Sequence, residues 1–343
     1  MGPARDPAAG LRWGILGTAS IAPAVIRAIR AAGCGTVAAV ASRDLGRARA
    51  FAVAHAIPVA LGDYAALLEP GVVDVVYNPL PNSLHAAWTI RALEAGRPVL
   101  CEKPFTVDAA EARAVAAVAR RVGLPVAEAF MYRFHPLYDR LAAVLATGRI
   151  GPLVTLTSQF TFWLDDRAAL PAVAGLGGGA LLDVGCYCVD VARRLAGAEP
   201  RRVLAAAREA PGGPAGAVDD TLVGTLELAG GVLASFECGI ASFERHRLEL
   251  AGTRGAITVA SPWFPGAERG TFVVRDAAGD EVVTTPGADG YELEVRDFAR
   301  ACTTGAPPRW PVADAVANMV ALDALRASAR TGTAVAVAAG DRV

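Results

Sequence analysis

The chain has almost no lysine. Of its 33 basic residues, 32 are arginine, and the exception is Lys103, inside Cys101-Glu102-Lys103-Pro104-Phe105. A chain rich in Ala, Gly and Arg uses guanidinium wherever a plain surface cation suffices, so a lysine kept against that bias points to chemistry. An ammonium is a compact point charge whose pKa burial can draw down from about 10.4, whereas guanidinium is planar and stays protonated.

Other shortages exclude whole classes. There are six cysteines, at 34, 101, 186, 188, 238 and 302. No spacing among them suggests zinc or a disulfide framework, and Cys186 and Cys188 diverge on a helix. They read as small buried thiols in a reducing cytosol. Net charge is only −1, and arginines pair only at 120–121, 193–194 and 201–202. That is no nucleic-acid stripe. Residues 1–10 hold no apolar run, so no secretory leader is expected. The longest apolar stretches are broken by charge short of a membrane span. The expectation is a cytoplasmic chain with no nucleic-acid or membrane partner and no metal.

What is present is ample apolar material, 53% of 343 residues, enough for two domains. Residues 11–16 (LRWGIL), 36–41, 59–61, 72–77, 98–101 and 125–127 read as near-continuous apolar strands. Helical patterns lie between them, one running to Ala32, one capped by Asp44 and running to Ala54, then 64–68, 83–95 and 106–122. This alternation predicts an α/β Rossmann-type domain, 11–134, with a parallel sheet. Beyond it the grammar changes. Strands at 154–163, 202–208, 222–228, 232–237, 247–251, 256–259, 271–275 and 281–285 predict a large, open, mostly antiparallel sheet in an α+β domain, 135–330. A helix at 180–195 interrupts it. Closing helices at 291–302 and 312–330 are free to pack back on the first domain. Residues 211–216 read as a hairpin loop.

Gly17-x-Ala19-x-x-Ala22 follows the first strand and opens a helix, as a dinucleotide turn requires. Gly17 supplies the tight turn, and the helix N-terminus faces a pyrophosphate. Ala19 departs from the pattern by a methyl group. At the second strand's tip, Ser42-Arg43 offers a hydroxyl and a guanidinium where an NAD site carries an acid, which suits the 2′-phosphate of NADP(H), while Asp44 is assigned to capping. Residues 78–82 and Glu102-Lys103-Pro104 lie at strand carboxyl ends, which form the ligand crevice of such a sheet. His85 fits packing or cofactor contact better than catalysis. The cofactor candidates are Gly17, Thr18, Ala19, Ser20, Ile21, Ser42, Arg43, Leu80, Asn82, His85, Glu102 and Lys103.

The second constellation is Gly177-Gly178-Gly179-Ala180-Leu181-Leu182-Asp183-Val184-Gly185-Cys186-Tyr187. Asp183 and Tyr187 share one helix face at i and i+4. The glycines admit a ligand or a neighbouring segment at close range. A tyrosine can pass a proton to a carbonyl, more easily beside an ammonium.

WGILGTASIA (13–22), VASRD (40–44), YNPLPNSLHAAW (77–88), CEKPF (101–105), AFMYRFHP (129–136) and GGGALLDVGCYCVD (177–190) together resemble the glucose–fructose oxidoreductase/inositol dehydrogenase (Gfo/Idh/MocA) family, over residues 11 to 330. The resemblance implies NAD(P) in the first domain and substrate on the open sheet of the second. Many members read Asp-x-x-x-His where this chain has Asp183-x-x-x-Tyr187, a pattern more like the dihydrodiol dehydrogenase, NADP-xylose dehydrogenase and sugar 3-ketoreductase branches. It implies hydride transfer between NADP(H), in preference to NAD(H), and a secondary alcohol or ketone of a sugar, sugar nucleotide or cyclic diol. Tyr187 would move the proton, Lys103 tune it, and Asp183 hold the substrate or Lys103. Arg133, Phe162 and Trp163 are secondary candidates for lining the sugar pocket. A homodimer or homotetramer through the second sheet is expected. The same resemblance leaves a non-catalytic sensor of sugar metabolism and an NAD-dependent glycosidase as alternatives.

Overall fold

The computed structural model describes residues 10–166, 169–210 and 218–337. The loop expected at 211–216 and residues 1–9 lie outside them. The chain forms two compact units. The first runs through Thr106, takes up Ala110–Met131 and adds Asp289–Val316; the second comprises Val107–Ala109, Tyr132–Ala288 and the chain from Ala317.

The first unit holds a six-stranded parallel sheet, β1 (Leu11–Leu16), β2 (Gly35–Ala41), β3 (Val59–Leu61), β4 (Val75–Asn78), β5 (Val99–Glu102) and β6 (Val126–Ala129), in the order β3-β2-β1-β4-β5-β6. Its helices are α1 (Ala22–Ala32), α2 (Leu45–Ala54), α3 (Tyr64–Leu67), α4 (Asn82–Glu94) and α5 (Ala109–Val122). The strands are apolar on both faces because helices cover both, and Trp13, Ile15, Val75 and Val76 are all completely buried. Local signals set the ends. Asp44 accepts the Arg47 N–H and caps α2, and Gly33 ends α1 in the left-handed region at φ +64. Of the closing helices, α8 (Gly290–Thr304) belongs to this unit, its Phe298 ring 6.2 Å from Trp13.

The second unit holds a nine-stranded sheet. Its strands are β7 (Leu153–Trp163), β8 (Pro200–Glu209), β9 (Asp219–Leu228), β10 (Leu233–Gly239), β11 (Ala241–Gly252), β12 (Gly255–Val259), β13 (Arg269–Asp276), β14 (Gly279–Pro286) and β15 (Val335–Ala336). Their order is β14-β13-β12-β11-β7-β10-β9-β8-β15, antiparallel throughout except where β10 runs parallel to β7. The helix α6 (Pro136–Ala146) was not evident in the sequence. It starts at Pro136, and His135 caps it by accepting the Leu137 N–H. The closing helix α9 (Val312–Thr331) enters this unit at Ala317.

The helix expected over 180–195 is not uniform. Leu181–Gly185 is a π-helical turn, and α7 (Cys186–Ala196) follows it. Against expectation, the stretch Ala174–Ala196 is long and apolar enough to cross a membrane, but 67% of its most apolar 18-residue window is buried inside the protein, as in a core helix.

Candidate functional site

The cofactor end is built on the first unit. Gly17 has φ +80, and its N–H donates to the Ala41 carbonyl at 2.7 Å, tying the first turn to the tip of β2. A Cβ there would stand 3.0 Å from Leu80 Cδ2, so the turn and the 78–82 loop are in contact. Helix α1 has no side-chain cap and no acidic residue in its first turn. Its positive dipole end suits a phosphate, but Pro23 has no N–H and the Ala22 and Ala24 N–H groups donate to the Ala19 and Ile21 carbonyls, so direct donors to a pyrophosphate fall to the glycine turn before the helix. Ser42 is buried and its hydroxyl accepts the Asp44 N–H at 3.3 Å, while Asp44 Oδ1 accepts the Arg47 N–H at 3.1 Å. Arg43 is exposed beside it. Sequence reading missed Arg47. One helical turn beyond Arg43, its guanidinium lies 3.5 Å from Thr18 Oγ1 of the glycine turn. The i, i+4 spacing of two arginines was the available signal.

The loops carrying the other candidates are tied down from inside. Asn78 is fully buried, donates to the His85 carbonyl and Thr89 Oγ1, and accepts the Leu80 N–H. Buried Asn82 opens α4. The His85 ring, completely buried, sits with Nδ1 2.8 Å from the Pro104 carbonyl and Nε2 2.7 Å from that of Leu80. Burial pushes this imidazole down to about 4, so near pH 7 it is neutral, carries a single N–H and donates to one of these two carbonyls. Glu102 accepts the Tyr77 hydroxyl at 2.7 Å and the Lys103 N–H at 3.2 Å, and burial raises its carboxyl. Its side chain is thus committed inward. Phe105 N–H donates to Glu128 Oε1 at 2.8 Å. Lys103, half-buried at the end of β5, is held on a loop fixed on both sides. Its electrostatic neighbours include Glu102, Tyr291 and His85.

The second unit carries the other group. Tyr187 is 6% exposed, not a surface side chain. Its ring packs 5.5 Å from Tyr132, 5.3 Å from Phe160 and 5.7 Å from Trp263. The half-buried Asp183 lies in the π turn just before α7. The glycines serve neighbours within the chain. A Cβ on Gly178 would come within 2.7 Å of the Leu170 and Pro171 carbonyls, and one on Gly179 would overlap Asp219 Oδ1.

Of the secondary candidates, Arg133 is placed differently from expectation. It is 1% exposed, with its guanidinium on both oxygens of the fully buried Asp190, which also accepts the Tyr132 hydroxyl. A guanidinium held through Nε and Nη2 on a buried carboxylate braces the helix. Phe162 is half-buried and Trp163 is 59% exposed at the end of β7. The ring that meets Tyr187 is Phe160, one alternation earlier, with Trp263 stacked on it at 5.5 Å. Phe160 was legible as the same strand face as Phe162, whereas Trp263 sits in a loop without periodicity. Among the described residues, no cluster of three or more His, Cys, Asp or Glu could hold a metal.

Comparison with known proteins agrees with this division. Residues 11–130 match the model of an oxidoreductase family with an NAD-binding Rossmann fold, and residues 138–258 match the GFO/IDH/MocA C-terminal domain. The chain is 40% identical to D-xylose 1-dehydrogenase (NADP(+)) 2 of Haloferax volcanii, over 95% of this chain and 99% of that one. It is 35% identical to the trans-1,2-dihydrobenzene-1,2-diol dehydrogenase of Bos taurus, over 92% and 95%. Among solved structures, a 3-ketoreductase from Actinomadura kijaniata with NADP and TDP-benzene superposes with a TM-score of 0.88 at 32% identity, covering 93% of this chain and 98% of that one. That enzyme has also been solved with one tyrosine replaced by phenylalanine and with one lysine replaced by alanine.

Proposed function

The chain belongs to the GFO/IDH/MocA family of NAD(P)-dependent oxidoreductases, and from that premise we propose that it uses NADP(H) to interconvert a secondary alcohol and a ketone on a sugar, sugar nucleotide or cyclic diol. The nicotinamide, when bound, supplies or accepts the hydride. Tyr187 Oη gives the carbonyl oxygen its proton, or takes the proton from the alcohol. Lys103 contributes one ammonium that orients the substrate oxygen and eases proton release from the tyrosine. Asp183 holds the substrate or Lys103. The observation that carries this reading is Tyr187 itself, buried among aromatic rings on the glycine-led helix. In the Actinomadura enzyme, the lysine and tyrosine chosen for replacement stand as far apart along the chain as Lys103 and Tyr187 do here. The testing experiment is a panel of sugars, sugar nucleotides and dihydrodiols with NADP+ and NADPH, followed at the nicotinamide absorbance. No turnover of any member overturns the reading.

Cofactor choice is assigned to Ser42, Arg43 and Arg47. A charge-assisted contact to the 2′-phosphate is worth about 1.5–3 kcal/mol, so NADP+ should bind at least about tenfold more tightly than NAD+. Arg43→Ala should erase most of that gap in a calorimetric titration. Equal affinities in the unaltered protein would refute the assignment.

The second sheet is also assigned to self-association. Cross-strand register places Leu204, Val223 and Leu233, each about half exposed, on one face with Thr155, Thr157, Thr225 and Ser235 and with the charged Glu227 and Glu237. An uncovered face of this kind calls for a partner. Light scattering at micromolar concentration should give a homodimer or homotetramer, and Val223→Glu should shift it toward monomer. A monomeric parent protein contradicts this.

A further inference from the structure

The glycine run ahead of Tyr187 leads to a carboxylate that the reaction as described does not use. We propose that Asp219 is a positioning residue: reaching from β9, its side chain fixes the first turn of the segment that carries Asp183 and Tyr187. This rests on reading that segment as the proton-transfer helix.

The geometry is specific. Asp219 Oδ2 accepts the Leu181 N–H at 2.7 Å. Gly179, at φ +120, passes so close to Oδ1 that no other residue fits, and Gly178 lies equally close to the 170–171 backbone. From the other side, a Cβ on Gly185 would stand 2.8 Å from Cys238 Sγ on β10. The π turn Leu181–Gly185 is thus gripped at its start by β9 and at its end by β10. An isolated chain prefers α over π spacing. Releasing the Asp219 grip lets the turn relax toward α spacing and rotates Asp183 against Tyr187.

Charge adds a signature. Burial pushes the Asp219 carboxyl up to about 6. The groups facing it are Arg326 of α9, Asp220 of its own strand and the Cys238 thiol of β10. Because the folded-state value lies above the ordinary 3.8, the stabilisation from protonation is full below about 3.8 and is lost as pH rises through about 6. At neutral pH the protein thus keeps this buried carboxylate mostly charged at some expense of stability.

The test uses full-length Asp219→Asn and Asp219→Ala. Without substrate, hydrogen exchange at pH 7.5 should be at least about tenfold faster across residues 180–187 in the alanine variant. Unchanged exchange overturns the proposal. Asp219→Asn should raise Tm at pH 7.5 by at least about 2 °C, with the gain vanishing near pH 4. It should also lower kcat by about tenfold at pH 7.5, leave KM for NADP(H) unchanged, and abolish the loss of activity expected of the parent protein below about pH 6. A lower Tm with an unaltered pH profile would mean an ordinary structural bond and would also overturn the proposal. Should no alcohol or ketone be turned over even by the parent protein, the functional reading fails, while the exchange and melting results still decide whether Asp219 holds the turn.

Discussion

Lys103→Arg should lower turnover with the true substrate by at least about a hundredfold, although it preserves charge and matches every other basic residue in the chain. The side chain leaves β5 on a loop that cannot give way. The loop is clamped by Glu102 on the Tyr77 hydroxyl, by His85 on the Pro104 carbonyl and by Glu128 on the Phe105 N–H. A guanidinium is wider than an ammonium and spreads its charge over a plane, so it cannot set a single cation against a tyrosine hydroxyl and a substrate oxygen. Tyr187→Phe should cost as much, since general acid–base catalysis typically contributes about 10²–10⁴-fold. Neither change should alter NADP+ affinity much, because neither residue is assigned to the phosphates. Under the proposed function Lys103 and Tyr187 serve one proton transfer, so the double variant should lose less than the product of the single losses. The measurements are steady-state kinetics and cofactor titration on all three variants. Near-full activity in Lys103→Arg would remove the argument from the lone lysine.

How much of this was legible follows from where each signal lies. The parallel sheet was readable because its strands are buried on both faces and its helices carry their own punctuation, such as Asp44 at the start of α2 and Gly33 at the end of α1. Strand β11 was read short, at 247–251, because Phe243-Glu244-Arg245-His246 breaks the alternation where the ladder shifts register between Ala241 and Arg245. The π turn was hidden, because Leu181-Leu182-Asp183-Val184-Gly185 fits an α-helix equally well and only Asp219 and Cys238, distant in sequence, hold it otherwise. For the same reason the glycines could be seen to require a close neighbour without revealing which one. Arg133 illustrates the opposite failure. Its type and its position before the second domain suited a sugar pocket, but its partner Asp190 lies 57 residues away and no local pattern connects them.

That pair sets the largest expected effect on stability. Asp190 has no exposed surface and Arg133 has almost none, and the carboxylate also receives the Tyr132 hydroxyl. Asp190→Ala would remove the buried carboxylate that the Arg133 guanidinium and the Tyr132 hydroxyl share, with Arg193 3.9 Å away. Breaking one side of such a pair costs about 3–5 kcal/mol, a large fraction of the stability of a typical domain. The variant should therefore show a much lower urea midpoint or fail to accumulate as folded protein. Much of that cost is the stranded charge. Replacing the network together, with Asp190→Leu, Arg133→Met and Tyr132→Phe, should recover a substantial part of the loss, because apolar side chains of similar size often match a buried ion pair in stability. The triple variant also separates the two assignments of Arg133. If the arginine only braces the helix behind Tyr187, a refolded triple variant keeps its KM for substrate within about threefold, since uniform binding is what KM reports when chemistry is slow. A large rise in KM with kcat preserved would return Arg133 to the substrate pocket.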